Sequence, residues 1–168
     1  MKTIALATAI LLVQLSHAQE FGEDTKSVDA VIKALYEVIS GPKGQERNWP
    51  RFKNLFTEDA KMLAMVKSGE ELRSFRLTPE DYVQRSGPFL VDNGFFENEI
   101  HRDSHSYGPI CQVWTTYESR LGSKDAKPFD RGINSVQLVQ DKGRWWIQSI
   151  TWAGESAAGP IPKRYLRN

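Results

Sequence analysis

Several absences narrow this chain's chemistry before any motif is read. It has one cysteine, Cys111, in 168 residues, so no internal disulfide can form and stability must come from packing. Cys111 lies in an apolar strand-like stretch and reads as a small buried hydrophobe rather than a reactive thiol. Three histidines are few ligands for a metal. Neither sign of charge dominates, with 22 basic against 21 acidic residues, which provides no field to attract nucleic acid or anionic lipid. After residue 18 no apolar run approaches the roughly 20 residues needed to cross a bilayer.

The first eighteen residues are the exception in composition. Lys2 is a basic start, Ile4 to Leu15 an apolar run, and Ser16 and Ala18 a small-residue pair, the three parts of a secretory signal cleaved after Ala18. The expectation is export, to the periplasm or beyond the cell, with no membrane attachment after cleavage. No cysteine stands near the cleavage point to take a lipid. Removal would leave 21 residues of each sign. The 150 residues that remain suit one domain with a real core. The expected organisation is a signal at 1–18, a linker at 19–26, one domain at 27–155 and a tail at 156–168.

Within the domain, apolar residues at Val28, Val31, Ile32, Leu35, Tyr36, Val38 and Ile39 follow helical spacing, with Ser27 as cap and Gly41-Pro42 as stop. Asn48 is placed to cap a short turn carrying Trp49, Phe52 and Phe56. A strand is expected over Ala60–Val66 and a loop over the polar stretch Lys67–Arg76. Thr78-Pro79 opens another helix, which Pro88 should kink or end and Asn93-Gly94 should end at the latest. From Phe95 onward the period changes to that of antiparallel strands, at about Phe95–Ser106, Ile110–Leu121, Arg131–Gln140 and Arg144–Trp152. Helices followed by long hairpins predict an α+β fold, a curved sheet with helices packed on one face.

These residues carry a resemblance. The helix with Val31 and Leu35, the Trp49/Phe52/Phe56 turn leading through Asp59-Ala60 into a strand, and the final Gly143-Arg144-Trp145-Trp146-Ile147 strand resemble the nuclear transport factor 2-like (SnoaL-like) superfamily over roughly residues 27 to 155. The densest stretches are Val113–Arg120 and Arg131–Leu138, which look like exported bacterial members of unassigned function. The resemblance implies a cone-shaped α+β barrel, an antiparallel sheet wrapped round N-terminal helices with a pocket at its open end, and often a homodimer through the outer sheet face. It implies no reaction, because this fold hosts isomerases, dehydratases, cyclases and non-catalytic modules.

Alternation then assigns faces. On the last strand Trp145, Ile147, Ser149 and Thr151 should share one face, and Trp146, Gln148, Ile150 and Trp152 the other. Both are partly apolar, which fits one face on the helices and one covered by a partner chain. His101, Asp103 and His105 share a face of the first long strand. The outer two are about 13 Å apart, too far to hold one metal directly. A His101–Asp103 general base is the better chemical idea, because a carboxylate raises the basicity of an imidazole. A solvated strand face is the plainer alternative. Tyr117, Arg131 and Ser135 could point into the cone, with Tyr117 and Ser135 as polarisers of a bound carbonyl. Tyr36, Tyr82 and Trp114 could line it, with Arg131, as ligand-binding residues. No cofactor and no metal are expected, and the partner is a small apolar or carbonyl-containing molecule. The expected function is an exported small-molecule pocket protein. The alternatives are a cofactor-independent isomerase, dehydratase or hydrolase using the His/Asp base, and a non-catalytic dimerisation module.

Overall fold

The structure is a computed structural model that describes residues 21–166. The expected signal segment and its cleavage point therefore lie outside the described residues. A 3-10 turn at Gly22–Thr25 leads into helix α1, Val28–Ile39. Ser27 caps it by accepting from the Ala30 amide at 3.1 Å. One face of α1, including Val31, Ile32, Leu35 and Ile39, is buried, each such side chain contributing roughly 1.5–3 kcal/mol. A short α2, Trp49–Lys53, follows, capped by Asn48.

Six strands, β1 (Phe56–Ser68), β2 (Glu71–Leu77), β3 (Phe95–Tyr107), β4 (Ile110–Leu121), β5 (Asp130–Asp141) and β6 (Arg144–Gly154), form one sheet in the order β2-β1-β6-β5-β4-β3. Every neighbouring pair is antiparallel except β1 with β6. The sheet is open, ending in the edge strands β2 and β3 rather than closing into a barrel. Helix α3, Pro79–Asn93, connects β2 to β3, and a short α4, Glu155–Ala158, follows β6. The α+β class is as the sequence predicts. The core gathers α1, α2 and part of α3 against the inner sheet face.

Three local expectations need correction. Residues 71–77 are a strand, not loop. This edge strand is exposed at every position except Leu77, so it lacks the apolar alternation that marks a half-buried strand. Of the two outcomes expected at Pro88, a kink or an end, the structure overturns the end, since helix α3 continues through it to Asn93. Gly87 beside it is buried against Trp49, where a Cβ would come within 3.1 Å of the indole, and this packing on α2 holds the helix despite the missing amide. The helix ends where Asn93-Gly94 is expected to end it, with Gly94 at φ 64°.

The third correction concerns β6. Gln137 pairs with Ser149 but Leu138 pairs with Ile147, so β6 carries one extra residue, Gln148. The bulge reverses the side-chain phase. Ile147 and Ile150, expected on opposite faces, are both buried in the one core, with Trp145 and Trp152 packed against it. A similar shift in β3, between Glu99 and His101, inserts Ile100 and reverses the phase there too.

One buried cation has no expectation attached to it. Arg47 is 6% exposed and donates to the carbonyls of Ile39, Gly41, Gln45 and Leu90. It ties the end of α1 to α3, using its fork of donors on backbone oxygens rather than on a carboxylate. Burial holds its pKa below the usual guanidinium value.

Candidate functional site

The inner face of the sheet and the helices enclose a cavity of about 260 Å³. Its walls are Leu35 and Ile39 from α1, Phe52 from α2, Met62 from β1 and Tyr82, Ser86, Phe89 and Leu90 from α3, with Phe95, Ile150 and Trp152 from the sheet. Phe89 and Phe129, about half-exposed at 48% and 55%, stand where the cavity meets solvent. Tyr82 stacks on Phe52 at 5.2 Å and meets Trp152 edge-on at 6.3 Å, so the aromatic wall is continuous across α2, α3 and β6.

The polar groups of the cavity come from β3, β4 and β5. Glu97 lies two residues after the buried Phe95 on β3 and points inward by strand alternation. Its carboxylate accepts from Ser119 Oγ on β4 at 2.7 Å. Burial, and secondarily the charge of Asp130, push its pKa up to about 7, against the pull of the Ser119 hydrogen bond. Asp130 opens β5 and accepts from the Arg131 amide at 2.9 Å. Burial raises its pKa, opposed by that amide and reinforced by the charge of Glu155. Asn134 and the phenol of Tyr117 complete the set.

Two facing glycines make room for these groups. Gly132 of β5 sits opposite Gly154 of β6. A Cβ on Gly132 would lie 2.3 Å from the Tyr117 phenol oxygen, and one on Gly154 would lie 2.6 Å from an Asp130 carboxylate oxygen. The Tyr117 phenol and the Asp130 carboxylate therefore occupy the space a side chain would take at these positions, which only glycine leaves free.

Behind the cavity runs a buried hydrogen-bond chain. Asn134 Nδ2 donates to Tyr36 Oη at 3.1 Å, Tyr36 Oη donates to Thr115 Oγ1 at 2.9 Å, and Thr115 Oγ1 donates to Glu99 Oε1 at 2.5 Å. Glu99 in turn holds Arg102, with Nε to Oε1 at 2.7 Å. Every buried polar group along this chain has a partner, as a low-dielectric interior requires.

No protein-family model matches the chain, and no curated protein matches it. Solved structures do. A nuclear transport factor 2-like protein of unknown function from Pseudomonas putida aligns with a TM-score of 0.57 at 10% identity, covering 75% of this chain and 82% of that one. Another, from Silicibacter pomeroyi, has a TM-score of 0.53 at 14% identity, covering 76% of this chain and 92% of its own. A third, from Streptomyces avermitilis and provisionally named a dehydratase of the same family, has a TM-score of 0.54 at 12% identity, covering 77% and 94%. This chain has the nuclear transport factor 2-like fold.

Within that fold the residues singled out from sequence divide between the two faces of the sheet. Tyr82 and Tyr117 line the cavity. Tyr36 is buried in the hydrogen-bond chain behind it and reaches a neighbouring cleft between α1 and β3. The other five are on the outer face or beyond it. The β3 shift pairs His101 with Thr116 and Asp103 with Trp114, so both point away from the cavity. They are neighbours, with Nε2 to Oδ1 at 3.5 Å and side chains 25% and 46% exposed, and neither lines the cavity. Trp114 and Ser135 line a cleft of about 780 Å³ between the outer face and the C-terminal segment. Arg131, expected to point inward with Tyr117, points outward and pairs with Glu155 at 3.0 and 3.1 Å. Register explains this, because Tyr117 stands opposite Gly132 and Arg131 opposite Glu118.

The C-terminal segment crosses part of the face expected to take a partner chain. Thr116 Oγ1 donates to the Tyr165 carbonyl at 2.7 Å, the Tyr165 ring lies 5.7 Å from Trp114, and Ile161 is 9% exposed. Among the described residues no group of three or more His, Cys, Asp or Glu side chains is arranged to hold a metal ion.

Glu97, Ser119, Asp130 and Asn134 are the functional candidates that sequence reasoning missed. Two signals pointed to them. A glutamate at Glu97 keeps the inward phase of Phe95, and the strand glycines Gly132 and Gly154 mark a close approach of other groups.

Proposed function

We propose that this protein is a small-molecule pocket protein whose cavity binds a compact, largely apolar ligand against Glu97 and Tyr117. One observation carries this reading. Glu97 is an ionisable carboxyl in an aromatic cavity, bonded by Ser119 and held by burial at a pKa of about 7, and it shares that cavity with the Tyr117 phenol, which makes no hydrogen bond to any of the described residues. A carboxyl poised near neutrality can take or return a proton, and a free phenol can bond a ligand oxygen or nitrogen. Proton transfer on a bound molecule is thus the chemistry open to this geometry. Glu97 takes the role of base that sequence reading assigned to His101 and Asp103, and Tyr117 keeps that of polariser. The dehydratase name of the Streptomyces avermitilis neighbour is compatible with such chemistry but rests on likeness of fold. Export to the periplasm or medium is part of the proposal and is supported by the signal-like composition of residues 1–18 alone.

The test is titration with 2-naphthol, an uncharged aromatic hydroxyl compound, followed by tryptophan fluorescence, since Trp152 lines the cavity. Saturable quenching is expected for the wild type. Ser86→Trp, which fills the cavity from α3, should abolish it while thermal unfolding stays close to wild type. Equal binding by Ser86→Trp would place the ligand elsewhere and sink the proposal.

A further inference from the structure

The cavity carries an unusual balance of charge. Among the described residues it is lined by two carboxylates and by no lysine, arginine or histidine. Around the carboxylates stand Phe52, Tyr82, Phe95 and Trp152, with Phe89 and Phe129 at the opening. Aromatic faces and carboxylates share one preference, since ring quadrupoles and anionic oxygens both attract a cation. An anionic ligand would meet the opposite, with buried negative charge and no counter-ion.

A second, independent observation is the Tyr117 side chain. It is 5% exposed and lines the cavity, and its phenol oxygen makes no hydrogen bond to any of the described residues. Buried polar groups in native proteins nearly always have a partner, and the open side of this phenol is the cavity. A phenol oxygen accepts readily from an ammonium N–H.

We propose that the ligand of this cavity is a compact organic cation, a protonated amine on an apolar or aromatic body, held by Glu97 and Asp130 and enclosed by the aromatic walls. The inference rests on the reading of the cavity as a small-molecule site and names the ligand class. An ammonium group at Glu97 donates to its carboxylate and to the Tyr117 oxygen while Phe52, Tyr82 and Trp152 take the hydrocarbon body. A volume of about 260 Å³ lies just below the usual range of small-molecule sites, roughly 300–1,000 Å³. That favours a monoamine over a long polyamine.

Binding should depend on pH through Glu97. The groups that face it are Ser119 and Tyr117 from β4, Asp130 and Asn134 from β5, Tyr36 from α1 and Tyr82 from α3. Glu97 also touches the neighbouring cleft, which holds Lys33, Glu37, Glu99, Arg102 and Lys124. None of those cations bonds its carboxylate, and Arg102 is engaged by Glu99 and Asp29. The ionised carboxylate is the form that binds an ammonium, and burial raises its pKa to about 7. Amine affinity therefore rises with pH through neutrality and levels off above it.

The test is calorimetric titration of the full chain with three probes that share a phenyl body and differ in the head: 2-phenylethylamine, 2-phenylethanol and 3-phenylpropanoate. At pH 8 the amine should bind at least about tenfold tighter than the alcohol, and the acid should not bind. Lowering the pH to 6 should weaken the amine and leave the alcohol unchanged. Glu97→Gln should reduce the amine to the level of the alcohol, with unfolding followed in parallel. Asp130→Asn, a milder change at the rim, should lose part of the preference and serves if Glu97→Gln does not fold. Alcohol or acid binding as tightly as the amine would overturn the cation assignment and leave the pocket reading standing. Failure of all three to bind would overturn both.

Discussion

The inner and outer faces of this one sheet are built from the same strands and do different things. The inner face carries Val113, Val136, Leu138, Ile147 and Ile150 in a closed core and, towards one end, the Glu97–Tyr117–Asp130 cavity. The outer face carries His101, Asp103, Trp114 and Arg131, whose partners are one another, Glu155 and the C-terminal segment. Polar residues occur on both, so composition does not separate them. What separates them is desolvation. The same carboxyl chemistry that is ordinary in water has its proton affinity shifted once apolar walls exclude water.

The largest expected break in this comparison is a pair of isoleucines. Ile147 is fully buried on the inner face, whereas Ile110 is 47% exposed on β4. Ile147→Ala should cost about 2–5 kcal/mol of stability, and Ile110→Ala should stay within about 0.5 kcal/mol, both read from denaturant unfolding. Equal losses would mean that the bulge at Gln148 does not set the phase of β6.

Next in size is the pH dependence of stability. The pKa of Glu97 rises from the ordinary 4.5 to about 7 on folding, so the folded state holds this proton more tightly than the unfolded state. Below about pH 4.5 both states are protonated and there is no penalty. As pH climbs through the window from 4.5 to 7 the penalty grows, reaching at most on the order of 3 kcal/mol above neutrality. Glu97→Gln should therefore melt above wild type at pH 8, with the gap closing as pH falls to 4.5. A gap that widened on acidification would contradict a buried, proton-hungry carboxyl.

A smaller effect is expected at the glycine floor. In Gly132→Ala the new Cβ meets the Tyr117 oxygen at 2.3 Å and the Ala153 carbonyl at 2.5 Å, an overpacking that should cost about 1–3 kcal/mol. Tyr117→Phe in the same chain should recover only part of that loss by removing the oxygen, because the ring carbon Cζ at 2.5 Å and the backbone contact remain. Full recovery would mean that the phenol alone occupies the space. The smallest effect is His101→Ala. On the outer face, it should leave 2-naphthol affinity unchanged in the same fluorescence titration, and a loss would return the His101–Asp103 pair to the site.

Much of this was legible from sequence because it is local. Ser27, Asn48 and Thr78 cap their helices as side-chain chemistry dictates, and the period change at Phe95 marks the passage to strands. Tyr117 lines the cavity on an unbroken stretch of strand alternation, and Tyr82 lines it from the face of helix α3 that packs on the sheet. The alternation of β3 from Phe95 would have found Glu97 as well. It fails beyond Glu99, where the inserted Ile100 turns His101 and Asp103 outward, and it fails again at Gln148. Arg131 and Ser135 were misplaced for another reason. Their orientation relative to Tyr117 is a matter of cross-strand register, which alternation along one strand does not contain.

The amino-acid sequence by itself determined where the capped helices begin, which helix face is apolar, and the α+β class, because each depends on neighbours within a turn or two of the chain; the exposed edge strand β2 carries no such local signal. Tertiary structure alone decided which polar side chains share the cavity. A bulge is created by a strand and its partner together, and a carboxyl becomes a candidate acid or base only when residues distant in the chain close over it and remove the water.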